Sequence, residues 1–221
     1  QAGQVGVTNG TIVDNLHGTP RSIVPVAGLE PPGPAGIYDA LAATAAAVAL
    51  VPDLQPSVIA QALQSFKVAG HRGQQVAEAR GIVAIDNSKA TNPHAADSAL
   101  AGHDSVIWVA GGQLKGAEVD DLVARHAHRL KAVALMGVDR NIIRESVEKH
   151  APGVPIFVTD DTDPQSAMDA VCAWAVTQAS SGDAIVLAPA AASLDMYTGM
   201  GQRGVLFAES VSAHLGGVAP K

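Results

Sequence analysis

The sequence has little of three things that would point to particular classes of protein: cysteine, aromatic residues and basic charge. Its one cysteine, Cys172, excludes an internal disulfide and fits a reducing cytosol, and its apolar helical surroundings predict a small core residue. Aromatic residues make up 3% of the 221 residues, so the core must consist of alanine, valine, leucine and isoleucine. That composition is typical of parallel strands covered by alanine-rich helices.

The charge and the hydrophobic runs exclude two kinds of partner. The net charge is −7 at pH 7, so we expect no nucleic-acid partner. No run of about 18 uncharged apolar residues occurs, so we expect no membrane-spanning helix, and we also expect no signal peptide. We therefore expect a cytoplasmic protein. The chain opens on Gln1 without a methionine, and we expect a fragment whose N-terminal part is missing.

Residues 69–221 alternate between short apolar runs and helical patterns, which predicts one α/β domain. The alternation favours a Rossmann-like, doubly wound and mostly parallel sheet. The predicted strands are 82–85, 106–110, 132–136, 156–158 and 184–188. The predicted helices are about 95–101, 119–129, 141–150, 164–180 and 202–215.

Residues 1–68 form a separate unit that is too small for a full domain. Short strands are predicted at 5–7, 11–13 and 22–26, with helices at about 38–50 and after Pro56. The dipeptide Asn9-Gly10 between the first two strands predicts a type I′ hairpin turn. We interpret this unit as the trailing part of a larger domain, and we place the boundary at residues 68–73.

Polar segments follow three of the predicted strands, and they are the candidate site. They span residues 86–92, 111–116 and 189–195. Open α/β sheets bind ligands at the carboxyl ends of their strands. In a parallel sheet this edge would therefore bring together Lys89, Thr91, Lys115 and Ser193. Gly111 and Gly112 would let the backbone turn sharply before Lys115, whose ammonium could bind a carboxylate or phosphate.

Each of these residues has a simpler interpretation. Lys115 could be a solvated lysine in an ordinary turn, because no Gly-x-x-x-x-Gly-Lys-Ser/Thr loop occurs. Asn92 could cap the helix after Pro93. Ser193 lacks the Gly-x-Ser-x-Gly of a nucleophile elbow, so it could be a positioning hydroxyl or a helix N-cap. Arg72 could clamp a ligand or form an ion pair at the boundary.

Two further clusters contain residue types that bind metals, but their spacing argues against a metal site. His126 and His128 stand two apart on a predicted helix and face different sides, which makes them a poor metal pair. The acidic loop 160–163 fits a solvated turn better than a calcium site, which needs more oxygen ligands at set spacing.

Taken together, these segments resemble the Mur ligase family. Residues 86–92 resemble its Asp-Ser-Lys-Ala-Thr-Asn signature, 111–116 its Gly-Gly-x-x-Lys loop and 187–204 its Ser-Pro-Ala-x-Ala-Ser-x-Asp…Gln-Arg-Gly segment. The pair His71-Arg72 resembles the His-Arg pair that opens the C-terminal domain of the family. The Ser-Lys-Ala-Thr-Asn and Ala-Ser-Leu-Asp segments are specific to the member that adds D-glutamate.

The resemblance implies an ATP-dependent ligase that joins D-glutamate to UDP-N-acetylmuramoyl-L-alanine through an acyl phosphate in peptidoglycan precursor synthesis. It implies ATP and Mg²⁺ as cofactors and a monomer. Residues 1–68 would be the end of the central ATP-binding domain, and 69–221 the C-terminal domain. Carried over by position, the implied D-glutamate contacts are Thr91, Lys115, Ser193, Leu194 and Met200. The implied ATP contacts are Arg72, Asn87 and Asp39.

This sequence departs from the family pattern mainly at the ATP positions. Residues 33–39 stand where the family has Gly-x-His-Asn-x-x-Asn, Asn87 stands where an aspartate is usual, and Gln74 replaces a glutamate. The phosphate loop, metal ligands and modified lysine of the family would lie upstream. We therefore expect no catalytic residue in this chain and no activity from it alone. The alternatives are a ligase of the Mur or folylpolyglutamate-synthase type with another amino acid, or a non-catalytic amino-acid-binding module.

Overall fold

The structure is a computed structural model that describes residues 2–30, 33–51 and 53–216, with Ala35 described by its backbone only. It divides into two compact units, residues 1–68 and 69–221. Within the described residues, no helix combines the length and the apolar character needed to cross a membrane. The two units are described separately below.

The first unit is a three-stranded antiparallel sheet with two helices. Its strands are β1 (Gln4–Thr8), β2 (Thr11–Asn15) and β3 (Arg21–Pro25), in that order across the sheet, and its helices are α1 (Pro34–Leu50) and α2 (Pro56–Ser65). Asn9 and Gly10 have φ values of 48° and 71°, which confirms the predicted type I′ turn. A small core joins the sheet to both helices through Ile12, Val48 and Ile59.

The second unit is a six-stranded sheet covered by helices. Its strands are β4 (Gln74–Ala79), β5 (Ile82–Asp86), β6 (Val106–Gly111), β7 (Leu130–Met136), β8 (Ile156–Val158) and β9 (Ala184–Leu187). Its helices are α3 (Pro93–Ala101), α4 (Asp120–His126), α5 (Arg140–His150), α6 (Pro164–Gln178) and α7 (Met200–Leu215). A 3-10 turn, Ala127–Arg129, follows α4, where the sequence predicts one continuous helix.

The strand order is β4-β5-β9-β6-β7-β8, with β4 antiparallel to β5 and the other pairs parallel. This confirms the predicted α/β class and the mostly parallel sheet. The last strand, β9, inserts between β5 and β6 and pairs with both. The edge strand β4 is absent from the sequence-based prediction, because its Gln-Gln-Val-Ala-Glu-Ala stretch alternates too weakly to predict a strand.

The central strand β6 is buried on both faces of the sheet. Val106, Trp108 and Ala110 belong to the core beneath α3, α4 and α5. Ile107 and Val109 belong to the core on the other face, beneath α6 and α7. Cys172 is fully buried in that second core, which confirms the predicted core cysteine, and burial raises the pKa of its thiol. Helices on both faces leave the carboxyl edge of the sheet as the place for a site.

Helices α1 and α3 begin earlier than the sequence predicts, because each starts at a proline. α1 begins at Pro34 and α3 at Pro93, and proline at the first helical position needs no hydrogen-bond acceptor for its missing N–H. The Asn92 Oδ1 atom accepts a hydrogen bond of 2.9 Å from the Ala95 N–H, so the capping interpretation of Asn92 is confirmed.

Candidate functional site

The three polar segments lie side by side, because the strands that precede them are neighbours in the sheet. β9 lies between β5 and β6, so the loop after β9 lies between the other two loops. The Asn87 N–H donates to the Leu187 carbonyl at 2.8 Å, and the Gly111 N–H donates to the Pro189 carbonyl at 3.0 Å. Beyond the strands, Gln113 and Ala192 exchange two backbone hydrogen bonds of 2.8 Å. The edge is therefore a continuous, hydrogen-bonded rim.

The loop after β5 is anchored by a buried carboxylate. Asp86 is 1% exposed; its Oδ2 atom lies 2.6 Å from Nδ1 of His71, and its Oδ1 accepts the Ser88 N–H at 2.8 Å. Past this anchor, Lys89 is exposed and Thr91 is half-buried. The loop thus presents an ammonium and a hydroxyl to the edge of the sheet.

The loop after β6 turns in a conformation that only glycine accepts without strain. Gly111 and Gly112 have φ values of 120° and 131°. A Cβ atom on Gly111 would lie 1.8 Å from the Met136 carbonyl oxygen, and one on Gly112 would lie 2.1 Å from that of Ala192. The predicted sharp turn is therefore present, and close backbone contacts require it.

Lys115 follows this turn and is exposed, with a left-handed φ of 56°. Non-glycine residues seldom adopt this conformation, and they do so more often at functional sites. Within the described ranges, Lys115 takes part in no salt bridge. Its ammonium is therefore available to an anion at the edge.

The loop after β9 holds Ser193 and Leu194 in different environments. Ser193 is 4% exposed, whereas Leu194 is 65% exposed. The backbone carbonyl of Ser193 accepts hydrogen bonds from the N–H groups of Met196 and Tyr197, so it closes a turn. The N-cap interpretation of Ser193 is wrong, because the next helix begins only at Met200. Its hydroxyl keeps the role of a candidate positioning group.

The predicted ATP residues fall in both units. Arg72 is exposed and Asn87 is half-buried, and the Asn87 Oδ1 lies 3.9 Å from the position that a Cβ on Gly73 would take. The backbone directly after Arg72 therefore passes close to Asn87. Asp39 is exposed on α1 in the other unit. Gln74, at the start of β4, keeps an acceptor in place of the usual glutamate, since its Oε1 accepts the His71 N–H at 3.3 Å.

Arg203 belongs to this edge, and the resemblance to the Gln-Arg-Gly motif marks this residue without indicating its contacts. It is completely buried in the first turn of α7 and donates to backbone or hydroxyl oxygens of all three loops. The Nη1 atom of Arg203 donates to the carbonyls of Gly111 and Ala191, at 3.3 and 3.1 Å. Its Nη2 atom donates to the Ser88 carbonyl at 2.9 Å, and its Nε atom donates to the Ser88 hydroxyl at 3.0 Å. An arginine in an amphipathic helix normally predicts a solvated face, so the pattern concealed this contact.

A cavity of roughly 370 Å³ opens next to the three loops, at the carboxyl ends of β7 and β8. Its lining includes Gln113, Val138, Arg140, Asp161 and Asp195. Asp195 connects this region to the loop after β9, because its Oδ2 accepts the Val138 N–H at 2.9 Å. None of the predicted D-glutamate residues lines the cavity.

The acidic loop 160–163 serves the structure of the same region. Asp163 caps α6 by accepting the Ser166 N–H at 2.9 Å, which holds the pKa of its carboxyl below the usual value. Asp160 pairs with Arg140 at 2.6 Å. Among the residues that the structure describes, no three His, Cys, Asp or Glu side chains come together as a metal site.

The edge carries the kinds of group that an anion-binding site needs. It offers the ammonium groups of Lys89 and Lys115, the hydroxyls of Thr91 and Ser193, and backbone N–H groups in turns. A dicarboxylate needs a cation and hydroxyl or amide donors at a fixed spacing. The three hydrogen-bonded loops bring groups of this kind to one edge of the sheet.

Comparison with known proteins gives this fold and site a family. Residues 71–191 match the family described as Mur ligase, glutamate ligase domain. Because this match covers more than half of the chain, the chain belongs to the Mur ligase family. The resemblance inferred from the strand-end motifs is therefore confirmed.

Curated relatives match almost the whole chain. The UDP-N-acetylmuramoylalanine--D-glutamate ligase of Corynebacterium diphtheriae is 60% identical over 213 residues, which cover 96% of this chain and 44% of that protein. The ligase of the same name from Corynebacterium efficiens is 56% identical and covers 99% of this chain and 46% of that protein. The chain thus spans less than half the length of these relatives.

Solved structures agree on the fold. The UDP-N-acetylmuramate-alanine ligase MurC of Thermotoga maritima has a TM-score of 0.60 at 15% identity, over 95% of this chain and 45% of that one. A murein peptide ligase from Psychrobacter arcticus has a TM-score of 0.56 at 15% identity, over 99% of this chain and 45% of that one. At this identity the likeness shows the fold alone.

Proposed function

We propose that this chain is the amino-acid-binding part of an ATP-dependent ligase that joins D-glutamate to UDP-N-acetylmuramoyl-L-alanine. The observation that carries the proposal is the rim itself, because three neighbouring loops bring Thr91, Lys115 and Ser193 to one edge. The names of the relatives at 56–60% identity support the choice of D-glutamate.

The two carboxylates of D-glutamate occupy different loops in this proposal. Lys115 and Thr91 bind the α-carboxylate, since an exposed ammonium and a hydroxyl are the groups that a carboxylate accepts hydrogen bonds from. Ser193 binds the side-chain carboxylate, together with the backbone groups of Leu194 and Met200. A buried hydroxyl is well suited to this, because a charge-assisted hydrogen bond is stronger away from water.

The proposed reaction has two steps. The γ-phosphoryl group of ATP passes to the carboxylate of the alanyl acceptor, which gives ADP and an acyl phosphate. The amine of D-glutamate then attacks the acyl carbon through a tetrahedral intermediate. An amide forms, inorganic phosphate leaves, and the amine loses a proton. Residues of this chain orient the amine by holding both carboxylates, which converts the encounter into a step within one complex.

ATP and Mg²⁺ are the cofactors of this proposal. We propose Arg72 and Asn87 of the second unit, and separately Asp39 of the first unit, as nucleotide contacts, with residues 69–221 as the amino-acid-binding domain and 1–68 as the end of the ATP-binding domain. Asn87 keeps an oxygen acceptor for a ribose hydroxyl, although it lacks the charge of an aspartate. No step of the reaction is assigned to a metal held by this chain.

Phosphate release by the full-length protein tests the proposal. The assay contains ATP, Mg²⁺ and UDP-N-acetylmuramoyl-L-alanine, with D-glutamate, L-glutamate or a diamino acid added in turn. We expect release that depends on D-glutamate and does not respond to L-glutamate. Release with a diamino acid instead would assign another ligase of the family. Binding of D-glutamate without any release would favour a non-catalytic binding module.

A further inference from the structure

Arg203 is a buried cation whose hydrogen-bond partners are all neutral. Four N–H···O contacts, between 2.9 and 3.3 Å, join it to three carbonyls and one hydroxyl. Burial lowers the pKa of the guanidinium to about 10, against the opposing attraction of Tyr197, Asp195 and Asp86. The group therefore remains charged at neutral pH. A buried charge costs free energy unless it is both hydrogen-bonded and paired with an opposite charge, and among the described residues Arg203 forms no salt bridge, so this arrangement is expensive to keep for packing alone.

Each partner of Arg203 lies two to four residues before a residue of the candidate site. Ser88 lies three residues before Thr91, Gly111 four before Lys115, and Ala191 two before Ser193. A fourth connection runs through the Ser88 hydroxyl, which donates to the Met200 carbonyl at 2.7 Å. One guanidinium thus contacts the base of each loop that carries a proposed D-glutamate contact.

We propose that Arg203 is a positioning residue for the amino-acid substrate. Its guanidinium sets the spacing of the three loops that carry Thr91, Lys115 and Ser193, so this inference rests on the proposed function. Arg203 itself is completely buried beneath the loops and acts through them. The planar group directs its N–H donors along fixed directions, which a lysine ammonium on a flexible stem does not reproduce.

Substrate binding should be sensitive to this spacing. Both carboxylates of D-glutamate can be bound at once only when the donors for one carboxylate lie at the right distance from the donors for the other. Small displacements of positioning groups reduce rates strongly. The nucleotide residues Arg72 and Asn87 lie outside the contacts of Arg203. Loss of the guanidinium should therefore affect D-glutamate more than ATP.

The test is Arg203→Lys in the full-length protein, which keeps the charge and removes the planar group. We expect the KM for D-glutamate to rise about tenfold or more, with the KM for ATP within about twofold of the wild type. A general loss of structure would instead raise both values or lower kcat alone. The intrinsic fluorescence of Trp108 and Trp174 checks that the second unit stays folded.

Arg129→Lys is the matched control. Nη1 of Arg129 also donates to three backbone carbonyls, those of Leu100, Ala101 and His103, at 3.4, 3.2 and 2.7 Å. These carbonyls lie at the end of α3 and before β6, at the opposite edge of the sheet. We expect this variant to leave the KM for D-glutamate unchanged, since it removes the same kind of contact far from the loops.

Ser88→Ala decides the question if Arg203→Lys fails to fold. It keeps the guanidinium and removes the hydroxyl contact with Arg203 and with the Met200 carbonyl. We expect a smaller rise in the KM for D-glutamate, again without a change for ATP.

The outcomes separate this inference from the function on which it rests. The positioning role alone would be overturned if the wild-type protein releases phosphate with D-glutamate but folded Arg203→Lys has an unchanged KM for D-glutamate. If Arg203→Lys does not fold, an unchanged KM in Ser88→Ala would have the same meaning. Equal rises in the KM for D-glutamate and the KM for ATP would show that Arg203 has a structural role only. A wild-type protein without D-glutamate-dependent release would overturn both proposals.

Discussion

The Nδ1 atom of His71 lies 2.6 Å from Oδ2 of Asp86, and this contact attaches the start of the second unit to the end of β5. The pair packs against α7 at Gly204, where a Cβ atom would lie 2.1 Å from His71 Nδ1 and 2.5 Å from Asp86 Oδ2. The backbone carbonyl of His71 also accepts the Lys89 N–H at 3.0 Å. The absence of a side chain at position 204 therefore permits a contact on which the loop after β5 depends.

We expect Gly204→Ala to destabilise the second unit by about 1–3 kcal/mol, the usual cost of forcing an extra methyl group into packed surroundings. The measurement is chemical unfolding followed by tryptophan fluorescence, since both tryptophans lie in this unit. Gly201→Ala is the control in the same helix, because its Cβ would meet nothing closer than His71 Nε2 at 3.9 Å. If Gly201→Ala lowers the free energy of unfolding as much as Gly204→Ala does, the contact with His71 and Asp86 is not the cause of the destabilisation.

Lys115→Met tests the proposed anchor of the α-carboxylate. We expect the KM for D-glutamate to rise about tenfold or more in the full-length protein, because a charge-assisted hydrogen bond contributes about 1.5–3 kcal/mol. Lys149→Met is the matched control: it removes another exposed lysine, paired with Asp120 at 2.6 Å in the last turn of α5. Equal KM values in the wild type and Lys115→Met would assign Lys115 to an ordinary solvated turn.

His126 should make the second unit lose stability in mild acid. It is 2% exposed; its Nε2 lies 2.7 Å from Oδ1 of Asp97, and its Nδ1 is buried without a partner in the part of the chain that the structure describes. Burial lowers the pKa of His126, although the Asp97 carboxylate opposes this. A proton added at Nδ1 would have no acceptor, so the folded state disfavours it.

The sign of this effect follows from the lowered pKa. The unfolded chain takes up the proton near pH 6.5, above the pKa of the folded state. The contribution of neutral His126 is therefore complete above about pH 6.5 and declines as the pH falls, by at most about 1.4 kcal/mol per pH unit. We expect His126→Gln to reduce this decline in unfolding experiments between about pH 8 and pH 5. His128→Gln, which changes an exposed histidine, should keep the wild-type slope.

The strand-end segments could be predicted from the sequence because local patterns mark them. Short apolar runs such as 106–110 end in glycine or polar residues, and they alternate with helical stretches. This pattern predicts a parallel sheet whose polar segments share one edge. The neighbours across that edge could not be predicted in the same way. The insertion of β9 between β5 and β6 is a tertiary arrangement, and no local signal in 184–187 specifies it.

The contacts of Arg203 are a second example of tertiary structure that the sequence could not predict. Its partners lie 12, 92 and 115 residues away along the chain, so neither helical period nor charge pattern could reveal them. The interpretation of Ser193 as an N-cap failed for a related reason. Serine often precedes a helix, but here the turn formed with Met196 and Tyr197 delays α7 until Met200.

The most direct measurement is a crystal structure of the full-length protein with bound D-glutamate. We predict that one carboxylate contacts the Lys115 ammonium and the Thr91 hydroxyl, and that the other contacts the Ser193 hydroxyl. D-glutamate bound instead in the cavity of roughly 370 Å³ beside Val138 and Arg140, away from all three side chains, would contradict the assignment of the site.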